Sequence, residues 1–353
     1  MWERKEMVGK RNNAVDIARG IAMFSIVLGH LGVSSINRVV FTYHLPIFYL
    51  ISGFFFHDTS GSYRDFIKYK GRRILLPYYF TCFLICMMAV AAALWRGEDV
   101  GQSLFQKILA SLYAAGDGYD EPFKIYSIGA IWFLWATFWG ELFLKTALRM
   151  KQGTRIFFVF LLFGLSIWSY KIIWLPLSIQ AGMCALLFMY IGHTLREFCS
   201  EISTIKIEYK VFFTVIAFFM WLWMVKNFKA FWLVHCEIGN GIADVIGSLC
   251  GCYLLYLVSA YINYKFHPLS RLLSFFGRYS LLFLSIHLLE ALFFPYGKVY
   301  SVFSRYIPAT DASWLCFIIC CKFIVISICV LIASRIPLVR KIYGYRIINK
   351  NSQ

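Results

Sequence analysis

Arg19 and His30 stand eleven residues apart in "VDIARGIAMFSIVLGHLG", close to three helical turns, so a helix carries them on one face. An imidazole titrates near neutral pH and serves as a general base. A guanidinium offers a planar fork to carboxylate or phosphate. Their axial separation is about 16 Å at 1.5 Å per residue, so Arg19 lies near one end of the segment and His30 in the other half. Asp16, three residues before Arg19, shares the stripe. It is an ion-pair partner for Arg19 and a candidate substrate contact. Two further histidines sit in equally apolar sequence: His44 in "FTYHLPIFYLISGFFF" and His287 in "LLSFFGRYSLLFLSIHLLE". His30 is seven residues before Asn37 and His44 seven after it, so two antiparallel helices joined there bring both rings to one depth. His287 is roughly 22 Å into its own segment, again in the same half.

Three imidazoles at one level of lipid-depth sequence point to a shared chamber, since intramembrane ionisable groups face a bundle interior or a cavity. Taken singly, each is equally well explained by a hydrogen bond to a neighbouring helix. The sequence lacks the tight His-x-x-x-His spacing of a zinc site, so no metal is expected. A proton relay in a transporter is the stronger rival use. Further along, Lys68, Lys70, Arg72 and Arg73 cluster where an apolar run begins, "KGRRILLPYYF". The cluster is either a topology signal or a clamp for phosphates. Glu141 has Lys145 one turn on, the spacing of an ion pair, and otherwise lines a donor path. Ser52 with Gly53 allows close helix packing or passage of a thin substrate arm. Trp132 and Phe133 are cavity-lining candidates or interfacial anchors. Glu290, three residues after His287, is placed either to hold that ring or simply to sit at the outer interface.

The elements that must position these residues are membrane helices. The chain of 353 residues is 60% hydrophobic and only 15% charged. Apolar runs of about 20 residues recur along it, which implies an all-α polytopic membrane protein and not a β-barrel. Ten spans are expected, at about 14–34, 39–57, 73–95, 128–148, 156–173, 175–195, 210–226, 241–263, 272–294 and 313–335. Pro46 suits a helix start beside His44, and Pro176 does the same at the sixth span. The loop 96–127 has helical periodicity in its first half and reads as a short amphipathic helix. The net charge of +17 does not indicate nucleic-acid binding, because Lys and Arg fall in short clusters between apolar runs. With the N-terminus inside, inner segments hold more than twice as many basic residues as outer ones, including Arg4, Lys5, Lys10 and Arg11 at the start and Arg346 and Lys350 at the end. Both termini are therefore expected in the cytoplasm, as a segment 1–13 and a tail 336–353. The eleven cysteines, mostly in apolar stretches, read as small buried hydrophobes. The first span reads as a signal anchor, with no cleavable leader.

Taken in order, Arg19-x10-His30, "FTYHLPIFYLISGFFF", "KGRRILLPYYF", "IWFLWATFWGEL" and "FFGRYSLLFLSIHLLE" resemble the membrane acyltransferase 3 family, most closely its fucose 4-O-acetylase-like branch. The likeness spans most of the ten helices, and 1–353 reads as one membrane domain of that kind. It implies transfer of an acyl group, usually acetyl, from acyl-coenzyme A to a hydroxyl of a surface glycan or its lipid-linked precursor, in the cell inner membrane. It makes His30 the essential histidine, Arg19 its motif partner and His44 the second-span histidine. The family's Arg-x-x-Arg reads Lys70-Gly71-Arg72-Arg73 here, so one fork is replaced by a point charge. The chain is similar to stand-alone members without an added esterase-like domain.

The expected partners are thus acyl-CoA as a cosubstrate, a carbohydrate acceptor and membrane lipid, with no permanently bound cofactor. The pantetheine arm of coenzyme A matches five or six extended residues, about 18 Å. Phosphates resting on the basic rim would let that arm reach His30. His30 acts there as general base or takes the acyl group as a covalent carrier. His44 and His287 orient it or donate to the developing oxyanion. A proton-coupled transporter and a non-catalytic membrane subunit are the alternatives.

Overall fold

The computed structural model describes residues 12–58, 61–120, 123–306 and 310–345. Arg4, Lys5, Lys10, Arg11, Arg346 and Lys350 lie outside the described residues. Helix α1 (Asn13–Gly29) starts at Asn12, whose side chain accepts from the backbone N–H of Ala14 and Val15. The chain then makes α2 (Ser34–Val40), a turn at 41–45 and α3 (Pro46–Phe54). Pro46 opens α3, where its missing N–H costs nothing. The expected second span is therefore two short helices about a turn, not one rod. Helix α4 (Tyr63–Lys70) runs through a π-helical turn, Gly71–Leu75, into α5 (Leu76–Arg96). Helix α6 (Val100–Tyr113), capped by Asp99, is the short helix expected in the loop 96–127.

Next come α7 (Phe133–Leu148) and α8 (Gln152–Tyr170). A 3-10 turn opened by Pro176 leads into α9 (Ile179–Glu197). Helix α10 (Ile207–Lys226) is followed by the one small sheet among the described residues, β1 (Phe231–Trp232) antiparallel to β2 (Glu237–Ile238). The chain continues through α11 (Ile242–Lys265), α12 (His267–Arg278), α13 (Ser280–Phe293), α14 (Tyr296–Phe303), α15 (Asp311–Ala333) and α16 (Pro337–Ile342).

Among the described residues six helices are long and apolar enough to cross a membrane, or seven if α12 and α13, bent at the break between them, form one span. The remaining expected spans fall short of a full rod. Helix α1 has 17 residues, α7 has 16, and the second span is broken. In α8 and α10 only 11% of the apolar stretch is buried against protein, against 61% in α9, so α8 and α10 turn most of their surface outward. Outward apolar faces are what a lipid solvent selects.

The chain forms two compact units. The first comprises Met1–Thr59, Trp139–Leu175 and Ile179–Ser280. Two backbone-to-backbone crossings hold it. At Gly20 a β-carbon would stand 2.2 Å from the Leu273 carbonyl oxygen, so α1 and α12 touch main chain to main chain beside Arg19. At Gly53 it would stand 1.9 Å from the Met189 carbonyl oxygen, which locks α3 onto α9. Phe24 meets Phe276 edge-on at 5.2 Å across the first crossing.

The second unit comprises Ser60–Phe138, Pro176–Ser178 and Leu281–Gln353. Tyr78 OH donates to the Ser111 carbonyl at 2.6 Å, tying α5 to α6. Thr81 Oγ1 lies 2.8 Å from Ser285 Oγ and 3.1 Å from Tyr343 OH, a buried hydroxyl cluster joining α5, α13 and the segment after α16. The cysteines correct one expectation. Cys82, Cys184 and Cys252 are buried, but Cys316, Cys320 and Cys329 are exposed on α15. A thiol is apolar enough for a lipid-facing surface, so apolar sequence alone did not distinguish the two settings.

Candidate active site

Helix α1 ends at His30, whose ring folds back on its own last turn. The Ile26 carbonyl oxygen accepts from the His30 backbone N–H at 3.2 Å and from ring Nδ1 at 2.8 Å. His44 repeats the device. The Val40 carbonyl accepts from its backbone N–H at 3.0 Å and from Nδ1 at 2.8 Å. A carbonyl oxygen only accepts, so Nδ1 carries the proton in both rings and Nε2 bears the basic lone pair. His30 is exposed and His44 is buried.

Phe41 joins the two histidine-bearing segments. Its ring occupies the space beside Gly29, where a β-carbon would come within 2.6 Å of Phe41 Cε1. The same ring lies 5.0 Å from the His44 ring, tilted by 40°. His30 is also an electrostatic neighbour of His44. The turn 41–45 is pinned from three sides. Trp221 Nε1 donates to Thr42 Oγ1 at 2.9 Å, Tyr43 OH and Ser25 Oγ are 3.0 Å apart, and Cys252 Sγ lies 3.8 Å from the Tyr43 carbonyl. These contacts fix the ring of His44 by fixing its backbone.

Arg19 is half-buried and Asp16 buried, both on α1 beside the Gly20 crossing. Ser52 Oγ donates to Glu141 Oε1 at 2.7 Å, so these two candidates are brought together across 89 residues. Gly53 shows that this stretch serves close packing. Lys145, expected beside Glu141, is fully buried and its Nζ donates to Asp58 Oδ1 at 2.5 Å. Arg149 stands 3.7 Å from the other oxygen of Asp58.

In the second unit His287 forms a dyad with Glu290. Nδ1 donates to Glu290 Oε1 at 3.1 Å, so the basic lone pair is again on Nε2. Lys322 Nζ donates to the same carboxylate oxygen at 2.8 Å, and Tyr296 OH donates to the other. The ammonium also sits 4.6 Å from the centre of the Tyr296 ring, and all four side chains are buried. The sequence reading anticipated the grip of Glu290 on His287. It missed Lys322 and Tyr296. Lys322 was findable, because a lysine in the middle of "LCFIICCKFIVISICV" is costly in lipid unless paired. Trp132 and Phe133 are buried in the second unit, their rings 6.4 Å apart.

The basic segment of the second unit has its own geometry. Leu76 N–H reaches back to the Gly71 carbonyl, the five-residue spacing of a π turn. Arg73 donates to Tyr69 OH at 2.7 Å and lies over that ring. Lys70 sits 5.8 Å from the Phe66 ring. Arg72 and Arg73 are exposed, and among the described residues neither has a carboxylate within 4.0 Å. Exposed, unneutralised guanidinium groups suit a phosphate ligand. Among the described residues no three His, Cys, Asp or Glu side chains gather as a metal-binding set.

Residues 12–334 match the family described as acyltransferase domain, acyltransferase type 3. The chain belongs to the membrane acyltransferase 3 family. The match takes in every candidate site residue from Asp16 to His287, and this acyltransferase is a multi-pass membrane protein. No curated protein and no solved structure matches the chain. The family brings transferase chemistry, and no observation favours a proton-coupled transporter.

Proposed function

We propose that this acyltransferase moves an acyl group, acetyl in the first instance, from acyl-coenzyme A to a hydroxyl of a surface glycan or its lipid-linked precursor, at the cell inner membrane. The observation that carries the reading is the paired ring device at His30 and His44, which presents Nε2 as the base in each. His30 Nε2 takes the proton of the acceptor hydroxyl. The hydroxyl oxygen attacks the thioester carbonyl carbon, the carbon–sulfur bond breaks, and the thiolate of coenzyme A leaves with the proton that His30 Nε2 took up, which restores the base. His44, held close by Phe41, orients the base and assists the oxyanion. Arg72 and Arg73, with Lys70, hold the donor's phosphates. Arg19 is the motif partner of His30, and Ser52 with Glu141 supports the donor. The His287–Glu290 dyad is a second proton-carrying unit, available to hold rather than start the reaction.

The test is transfer from radiolabelled acetyl-CoA in isolated membranes, with insertion checked by protease accessibility. His30→Ala is expected to lose roughly 10²–10⁴-fold in transfer while insertion is unchanged, the usual worth of a general base. Activity within tenfold of the parent would remove His30 from that role.

A further inference from the structure

The first unit holds a cleft of about 460 Å³ between α2 and the β-hairpin, lined by Asn37, Arg38, Lys229, Trp232 and Glu237 among others. We infer that this cleft is the acceptor site and that the acceptor is an anionic saccharide. The inference rests on the glycan reading above and names the class of sugar.

Four features carry it. First, the volume falls within the usual range for a small-ligand site. Second, the polar groups are uncommitted: among the described residues Arg38 and Lys229 have no carboxylate within 4.0 Å, Glu237 has no cation, and Asn37 Oδ1 is buried without a hydrogen-bond partner. Third, Trp232 is 43% exposed, an aromatic plate of the kind a sugar's C–H face stacks against. Fourth, the cleft adjoins the histidine-bearing segments, because Trp232 lies 6.3 Å from Phe41, whose ring lies 5.0 Å from His44 and packs against Gly29, the residue before His30.

Charge decides between the two ligands of the reaction. Two cations and one carboxylate give the cleft a net +1. That suits a singly charged sugar, whose hydroxyls donate to Glu237 while its carboxylate meets Arg38 and Lys229. It does not suit coenzyme A, whose several phosphate charges Glu237 would repel. The Lys68–Arg73 segment, with four cations, is the better match for that donor.

The probe is an oligogalacturonate, with its fully methyl-esterified form as the neutral control, binding to the purified full chain in detergent. The acidic oligomer is expected to bind and the neutral form to bind at least tenfold more weakly. Arg38→Gln and Lys229→Gln are each expected to weaken acidic binding about tenfold, the loss of one charge-assisted contact. Trp232→Leu is expected to weaken both forms. Equal binding of charged and neutral oligomers would overturn the proposal, as would absence of binding or wild-type affinity in both glutamine variants. A higher acyl-CoA requirement in those variants with unchanged saccharide affinity would reassign the cleft to the donor and also overturn it. Failure of the catalytic reading is seen separately, because His30→Ala leaves this binding assay intact and alters only transfer.

Discussion

Lys322→Met tests the buried cluster around Glu290. The structure puts Lys322 Nζ 2.8 Å from Glu290 Oε1, with both side chains buried. At an effective dielectric constant of 20, that separation gives an attraction of about 6 kcal/mol. Burial costs several kcal/mol for each ion, so the intact pair comes close to break-even. Removing only the lysine leaves the carboxylate buried with His287 Nδ1 and Tyr296 OH as its remaining donors. The expected cost of Lys322→Met is about 3–5 kcal/mol. Adding Glu290→Gln removes the stranded charge, keeps an amide oxygen for His287 Nδ1 and turns the amide N–H toward the Tyr296 hydroxyl oxygen, which accepts. The double variant should therefore recover to within about 2 kcal/mol of the parent. The assay is equilibrium unfolding in mixed micelles, read as a double-mutant cycle. A Lys322→Met cost below about 1 kcal/mol, or strictly additive effects, would refute the argument that an uncompensated buried charge dominates here.

Four further outcomes are expected. Replacing Arg72 and Arg73 together by Ala should raise the half-saturating acyl-CoA concentration about tenfold or more while acceptor dependence stays put, checked by steady-state transfer assays. Gly53→Val should prevent α3 from seating on Met189 and cost at least about 3 kcal/mol, seen as loss of monodisperse protein in detergent. Gly29→Ala pushes on the end of the Phe41 ring, a movable group, so insertion should be normal while transfer falls about tenfold through displaced histidines. Ser52→Ala removes the 2.7 Å donor to a buried carboxylate and should destabilise by about 1–3 kcal/mol in the same unfolding assay.

How far the sequence alone reached can be read from particular residues. Apolar run length announced the helices, and Pro46 and Pro176 marked real starts because a first-turn N–H has no intrahelical partner to lose. The spacing of His287 and Glu290 fixed a contact, since three residues on a helix bring side chains together whatever surrounds them. The turn 41–45 was not legible, because it is held by Trp221 and Cys252, almost 180 and more than 200 residues away. The contact of Lys145 with Asp58 was equally hidden. Local spacing points only to Glu141, one turn away, and the contact to Asp58 spans 87 residues. The three-histidine chamber remains a reading of axial rise. What the first unit itself adds is the bond each of its two rings makes to its own helix.

The π turn at Gly71–Leu75 sets the angular phase between two stretches of one continuous helical run. Each extra residue rotates everything beyond it by about 100°. The guanidinium groups and the buried stripe of Pro77, Tyr78, Thr81, Cys82 and Ile85 therefore point where they do only because of that insertion. Deleting a single residue there would leave composition, charge and hydropathy almost untouched. It would nonetheless swing either the cationic end out of alignment or the hydroxyl of Thr81 away from Ser285 and Tyr343, so the segment tolerates substitution far better than a change in its length.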